Sequence, residues 1–153
     1  MAEGKLKALV VDDDPLVLEL VERSISRYGF EVTTTRAALG VANLIRTNQP
    51  DIVLLDVNIP ALSGDRILSV VRQFAGPQTL FILYSSMDES KLRELMRTAG
   101  ADGYIPKSVS GPELALKLSG MHHKHMASRP VVASQGSGVQ SQSTTAQVSV
   151  LST

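Results

Sequence analysis

Cysteine and tryptophan are both absent from this 153-residue chain. Without thiols there is no disulfide frame and no thiolate metal site. An excess of charge is missing too: 15 Lys+Arg stand against 15 Asp+Glu, for a formal net charge of +0. No block of basic residues stands out, so nothing points to a nucleic-acid surface. No apolar run is long enough to span a bilayer. Met1 to Lys5 lead into an apolar strand without the pattern of a signal peptide. The expectation is a soluble, cytoplasmic protein with no membrane insertion and no nucleic-acid partner.

Hydrophobic residues form 43% of the chain. At this length that suits one domain with a real core. The central stretch is Asp51-Ile52-Val53-Leu54-Leu55-Asp56. Four consecutive aliphatic residues between carboxylates read as a short strand buried on both faces. Leu6 to Val11 is a second such run, closed by Asp12-Asp13-Asp14-Pro15. Asp14 suits an N-cap and Pro15 a first helical turn. The helix that follows spaces Val17, Leu20, Val21, Ile25 and Tyr28 along one face, and Gly29 can end it.

Further strands are expected over Glu31–Thr35, Thr79–Tyr84 and Gly103–Pro106. Further helices are expected over Ala37–Thr47, with Val41, Leu44 and Ile45 inward, and over Asp65–Phe74, with Ile67, Leu68, Val70, Val71 and Phe74 inward. Two more cover Glu89–Ala99 and Gly111 to about Ser119. Val57 to Gly64 is a loop by its Pro60 and Gly64. Five strand–helix repeats predict a parallel sheet with helices on both faces, joined by right-handed crossovers. Pro106 cannot donate to a central ladder, so the last strand is expected at an edge. From Ala127 to Thr153 the chain is mainly Ser, Gln, Thr, Val, Ala and Gly, with Arg129 its only charged side chain. Residues 5–121 are therefore expected to fold, and 122–153 to form a flexible tail that buries too little to offset its ordering entropy.

Ligands gather at the carboxyl edge of a parallel sheet. Asp56, at that edge, can be a nucleophile, a metal ligand or a cap, and the other strand ends decide. The first strand brings Asp12, Asp13 and Asp14, the fourth Ser85 and Ser86, the fifth Lys107. Crowded carboxylates repel one another unless a cation neutralises them. Oxygen-only ligands suit Mg²⁺. A lysine and a hydroxyl are what a transferred phosphoryl group needs around its oxygens. Asp56 would then be the nucleophile that takes the group as an acyl phosphate. Asp14 reads as a cap alone. Lys107 or Ser85 by itself would be an ordinary surface lysine or strand-end hydroxyl; their company is what gives them meaning.

Four motifs stand in order: Val10-Val11-Asp12-Asp13; Leu54-Leu55-Asp56-Val57-Asn58-Ile59-Pro60 with Gly64 eight positions after the Asp; Tyr84-Ser85-Ser86; and Gly100-Ala101-Asp102-Gly103-Tyr104-Ile105-Pro106-Lys107-Ser108. Together they resemble the receiver domain of two-component response regulators, the CheY-like family, over about Leu6 to Ser119. The resemblance implies a flavodoxin-like fold: a doubly wound five-stranded parallel sheet of order 2-1-3-4-5 in three α/β/α layers. It implies that Asp56 is the phosphoacceptor and that Asp13 ligates Mg²⁺ directly, with Asp12 acting through water. Asp56 and the backbone carbonyl of Asn58 would complete the metal site. Lys107 would pair with the phosphoryl group, Ser85 would move to hydrogen-bond it, and Tyr104 would change rotamer as the switch. The group would come from a sensor histidine kinase or a histidine phosphotransfer protein. A downstream protein would read the face of the fourth helix, fifth strand and fifth helix. Catalysis would be limited to the chain's own phosphorylation and dephosphorylation.

Four details depart from the family's commonest pattern. Ser86 stands where alanine is frequent, Met87 where glutamate or lysine is often seen, and Ser108 where proline often forms a cis bond. The last helix reads as short before Gly120. His122, His123 and His125 read as solvated residues at a fraying helix end. No helix-turn-helix follows Ser119, so the expected protein is a stand-alone response regulator in a phosphorelay. The competing reading is a phosphorylation-independent adaptor on the same fold. Enzymes of this architecture fit less well. A flavin carrier or nucleotide enzyme needs a Gly-rich or hydroxyl-rich phosphate loop, and a dehalogenase-like phosphatase needs a second Asp where Asn58 stands.

Overall fold

The computed structural model describes residues 4–58 and 64–128. Ten main elements alternate: β1 (Leu6–Val11), α1 (Pro15–Ser26), β2 (Phe30–Thr35), α2 (Val41–Asn48), β3 (Ile52–Leu55), α3 (Gly64–Val71), β4 (Leu80–Ser85), α4 (Glu89–Ala99), β5 (Gly103–Pro106) and α5 (Gly111–Ser128). All strand pairs are parallel, in the order β2-β1-β3-β4-β5. The flavodoxin-like expectation holds, and Pro106 lies on an edge strand where its missing N–H costs no ladder bond.

Alternation along each central strand splits the core in two. Ile52 and Leu54 face one side with Leu18, Val21 and Ile25 of α1 and Leu114, Ala115 and Leu118 of α5. Val53 and Leu55 face the other side with Val41 and Ile45 of α2, Leu68 and Val71 of α3 and Leu92 of α4. Every residue of β3 is buried, which is why its sequence is uniformly aliphatic rather than alternating.

Several expected boundaries and faces are corrected. On α1, Leu18 is buried, while Leu20 and Tyr28 are exposed. The buried set Leu18, Val21, Ile25 has true helical spacing, and Leu20 points away from it. Helix α2 begins at Val41 rather than Ala37, because Gly40 adopts φ +97° and ends the preceding loop. Helix α3 stops at Val71, and a 3₁₀ turn covers Arg72–Phe74. Val70 and Phe74, expected inward, are exposed. The last helix does not end near Ser119 but runs to Ser128. Gly120 keeps helical backbone there, since only Gly29, Gly40 and Gly100 have positive φ among the described glycines. A mid-helix glycine costs only about 1 kcal/mol, and Met121 packs against the core beyond it.

The described residues divide into two units at His122/His123. In the second, residues 123–128 complete the helix, and the Ser128 hydroxyl donates to the His125 carbonyl at 3.0 Å. His122, His123 and His125 thus sit within α5 rather than at a fraying end. The expected tail from 129 onward, and Ile59 to Ser63 of the loop after Asp56, lie outside the described residues.

Candidate functional site

The site grows from strand register. Thr35, Val11 and Leu55 lie side by side on β2, β1 and β3. The ladder runs one step past them: the Asp12 N–H donates to the Thr35 carbonyl at 3.1 Å, and the Asp56 N–H to the Val11 carbonyl at 2.9 Å. Asp12 and Asp56 are therefore held as neighbours by main-chain bonds before their side chains interact. Across the sheet the Lys107 N–H donates to the Ser85 carbonyl at 2.8 Å, which sets the lysine beside the end of β4.

Three carboxylates meet here. Ligand oxygens of Asp12, Asp13 and Asp56 all lie within 4.8 Å of one another. Among the described residues they form the only such acidic or histidine cluster. Asp12 and Asp56 are 1% and 4% exposed. Asp13 faces solvent more than either, so the entrance lies on its side. Asp14 sits apart as the N-cap of α1, its Oδ1 accepting from the Leu16 N–H at 3.0 Å.

Lys107 provides the counter-charge. Its Nζ lies 2.7 Å from Asp12 Oδ2 and 3.6 Å from Asp56 Oδ1, and 5.8 Å from the ring centre of Tyr84. The approach to Asp12 is off the hydrogen-bonding direction, so that buried oxygen has charge nearby but no aligned donor. Such an oxygen is suited to a hard cation, and the all-oxygen donor set fits one. Burial pulls the Lys107 ammonium down, yet the close Asp12 carboxylate and the charge of Asp56 prevail and hold it above the usual lysine range. Burial pushes the Asp56 carboxyl up, Asp12 pushes it further, and Lys107 and the Asn58 N–H only partly offset this. That N–H donates to Asp56 Oδ1 at 3.3 Å, which brings the Asn58 main chain onto the same carboxylate. Burial likewise raises the Tyr84 phenol, against the charge of Lys107.

The two expected switch residues are placed differently. Ser85 is fully buried, and its Oγ accepts from the Met87 N–H at 3.0 Å. Tyr104 is half-buried on the edge strand. Its hydroxyl donates to Glu89 Oε2 at 3.0 Å and accepts from Arg93 Nε at 3.2 Å. The guanidinium of Arg93 also lies 5.9 Å from the Tyr104 ring centre. Ser86 is exposed and Met87 half-buried. No described peptide bond is cis, the one joining Lys107 to Ser108 included. The histidines of α5 take no part in the acidic cluster.

Four residues escaped the sequence reading. Tyr84 packs beneath Lys107, although in the chain it is merely the residue before Ser85. Glu89 and Arg93 bind the Tyr104 hydroxyl, although in the chain they are merely charged residues of the expected fourth helix. Arg36 follows β2 and donates from Nε to the Asp13 carbonyl at 3.3 Å. A lone arginine after a β-branched strand carries no signal in the chain itself.

Residues 8–119 match the family model of the response regulator receiver domain. The chain is 36% identical over 115 residues to the response regulator MprA of Mycobacterium sp. (strain KMS), covering 74% of this chain and 49% of that protein. It is 33% identical over 118 residues to a Mycobacterium tuberculosis protein (strain ATCC 25618 / H37Rv) named "Probable transcriptional regulatory protein TcrX", covering 76% and 50%. Among solved structures, the BeF3-activated N-terminal receiver domain of Klebsiella pneumoniae RstA superposes with a TM-score of 0.69 at 25% identity, covering 76% of this chain and 97% of that one. A CheY-like receiver domain protein from Methanospirillum hungatei JF-1 shares the fold, with a TM-score of 0.73 at 22% identity over 82% and 100% of the two chains. The chain belongs to the response regulator receiver family. It spans about half the length of the curated relatives it matches.

Proposed function

We propose that this chain is a phosphorylation-controlled receiver that accepts a phosphoryl group on Asp56 from a sensor histidine kinase or a histidine phosphotransfer protein. One observation carries the reading: a carboxylate 4% exposed at the sheet's carboxyl edge, with Lys107 3.6 Å away and two further carboxylates alongside. No simple structural role accounts for three carboxylates gathered at one buried corner.

Mg²⁺ would be held by Asp12, Asp13 and Asp56 with the backbone carbonyl of Asn58. When bound it supplies charge neutralisation for the carboxylates and for the oxygens of the incoming group. The chain's own residues do the rest. An Asp56 carboxylate oxygen attacks phosphorus, the bond from phosphorus to the donor nitrogen breaks, and the donor imidazole keeps the electron pair. Lys107 stands ready to pair with the transferred group. Ser85 gives up its Met87 contact and turns its hydroxyl to donate to a phosphoryl oxygen. Tyr104 then leaves Glu89 and Arg93, and the surface of α4, β5 and α5 changes for a downstream protein. The new dianion shifts the resting equilibrium only by its differential contacts with the two states. Beyond this self-catalysed phosphorylation and dephosphorylation, the proposed role is regulatory. The setting is cytoplasmic.

The proposed output is protein–protein contact by a stand-alone regulator, with no nucleic acid bound by this domain. The half-length coverage of the relatives and the transcriptional name of one of them favour a second reading, in which the same switch regulates transcription. A phosphorylation-independent adaptor predicts that Asp56→Ala leaves partner binding unchanged.

The test is intact-mass spectrometry after incubation with acetyl phosphate and Mg²⁺, beside EDTA-treated and Asp56→Asn samples. One added phosphoryl group, absent from both controls, is expected. Beryllofluoride, the activating ligand named for the RstA receiver, provides a second arm. A wild type that shows neither the adduct nor beryllofluoride binding would overturn the reading.

A further inference from the structure

The register that joins Asp12 to Asp56 extends one strand further. Thr35 pairs with Val11, and Val11 with Leu55. Arg36, Asp12 and Asp56 are therefore the first residues beyond three adjacent strands. Their backbones are separated by two strand spacings, roughly 10 Å, a span over which a long guanidinium side chain reaches toward the site. Arg36 does turn that way: its Nε donates to the Asp13 carbonyl at 3.3 Å. Asp13 is the most solvent-facing of the three carboxylates, and the guanidinium is anchored to its main chain, while Lys107 sits against the buried pair Asp12 and Asp56.

Charge defines what it does there. Three carboxylates and one ammonium leave the pocket net negative, which repels an anionic phosphodonor at the moment of approach. A divalent ion held by Asp12, Asp13 and Asp56 would offset part of this charge. Arg36 is a second cation that reaches the loop carrying the outermost carboxylate. Among the described residues it is in no ion pair and only its Nε is engaged, so the remaining guanidinium N–H groups are available in a planar fork that matches phosphate oxygens.

We infer that Arg36 is a positioning residue for the phosphodonor: it binds the dianionic phosphoryl group of a small acyl phosphate at the entrance and aligns its phosphorus with Asp56. The step itself balances without an added proton. An Asp56 oxygen forms the new bond to phosphorus, the bond from phosphorus to the acyl oxygen breaks, and acetate leaves with the electron pair. The inference rests on Asp56 being the acceptor.

The test compares wild type, Arg36→Ala and Arg36→Lys at saturating Mg²⁺, with acetyl phosphate and with phosphoramidate, which carries less negative charge at neutral pH. Rates are read by intact mass, and Mg²⁺ affinity separately by the shift in melting temperature. The expected result is a fall of about tenfold in the second-order rate with acetyl phosphate for Arg36→Ala, the scale of one charge-assisted hydrogen bond. The fall should be smaller with phosphoramidate, partly recovered in Arg36→Lys, and accompanied by unchanged Mg²⁺ affinity. An unchanged rate overturns the inference. So does an equal fall with both donors together with weakened Mg²⁺ binding, which marks Arg36 as a staple between two loops. A wild type inert to both donors overturns the role of Arg36 toward a small acyl phosphate, and overturns the Asp56 reading itself only where beryllofluoride binding fails as well; a reactive wild type with an equally reactive Arg36→Ala overturns only the role of Arg36.

Discussion

At the scale of single residues the site is a charge problem with an incomplete internal solution. Asp56 is held above the usual carboxylate range by burial and then by Asp12. The unfolded chain ionises it at the ordinary value, so above the raised folded value the charge costs stability. That cost vanishes below the unfolded value, where both states are protonated. Asp56→Asn should therefore stabilise the metal-free protein at neutral pH by roughly 1–2 kcal/mol. The gain should shrink as pH falls toward ~4, as read by thermal melts in EDTA. Lys107 has the opposite sign. Its raised folded value means that its stabilisation is fully present below the unfolded value of ~10.4 and is lost as pH rises through the folded one. Lys107→Met leaves Asp12 and Asp56 uncompensated and should cost roughly 2–4 kcal/mol in urea unfolding. Mg²⁺ should restore more stability to this variant than it adds to the wild type.

At the scale of elements, two helices meet at a point with no spare room. A Cβ built on Gly111, the first residue of α5, would lie 2.5 Å from Ser24 Oγ and 2.7 Å from Ser24 Cβ on α1. Gly111→Ala should cost roughly 1–3 kcal/mol by overpacking, and Ser24→Gly in the same chain should recover most of it. A denaturation midpoint that Gly111→Ala leaves unmoved would show that the helices shift apart freely. Helix α1 depends on Asp14, which is why Asp14→Ala should cost about 1 kcal/mol. It should do so without altering phosphorylation at Asp56, unlike changes at Asp12 or Asp13 two and one positions before it. These elements were largely legible in the chain. The Asp-Pro start of α1, the β-branched and aliphatic strands and the Gly100 end of α4 are local signals, and α4 and β5 fall where expected. The end of α5 was not legible. Gly120 looks like a terminator until Met121 is seen to pack on the core beyond it, and that contact is tertiary.

At the scale of the whole molecule, β3 couples both cores, since alternate residues face opposite layers. Leu54→Ala should cost roughly 2–5 kcal/mol, and Val53→Ala, on the other face, should unfold in an equally cooperative single transition. Two separated transitions would show that the layers are independent. Ligand linkage acts on the same whole. Mg²⁺ at a hundred times its dissociation constant should add about 2.7 kcal/mol, removable by EDTA and abolished in Asp13→Ala.

The sequence by itself determined the parallel α/β class, the burial of β3, the edge position of β5 and the residue types of the site. Period and strand-end chemistry are local properties that survive in one dimension. Only the tertiary structure decided which charges meet. Lys107 leans closer to Asp12 than to Asp56. Tyr104 is held by Glu89 and Arg93, and Arg36 lands on the Asp13 main chain. Each of these pairings joins residues from different strand ends or from a helix and a strand. Register and side-chain direction set them, and neither is written in the spacing of residues along the chain.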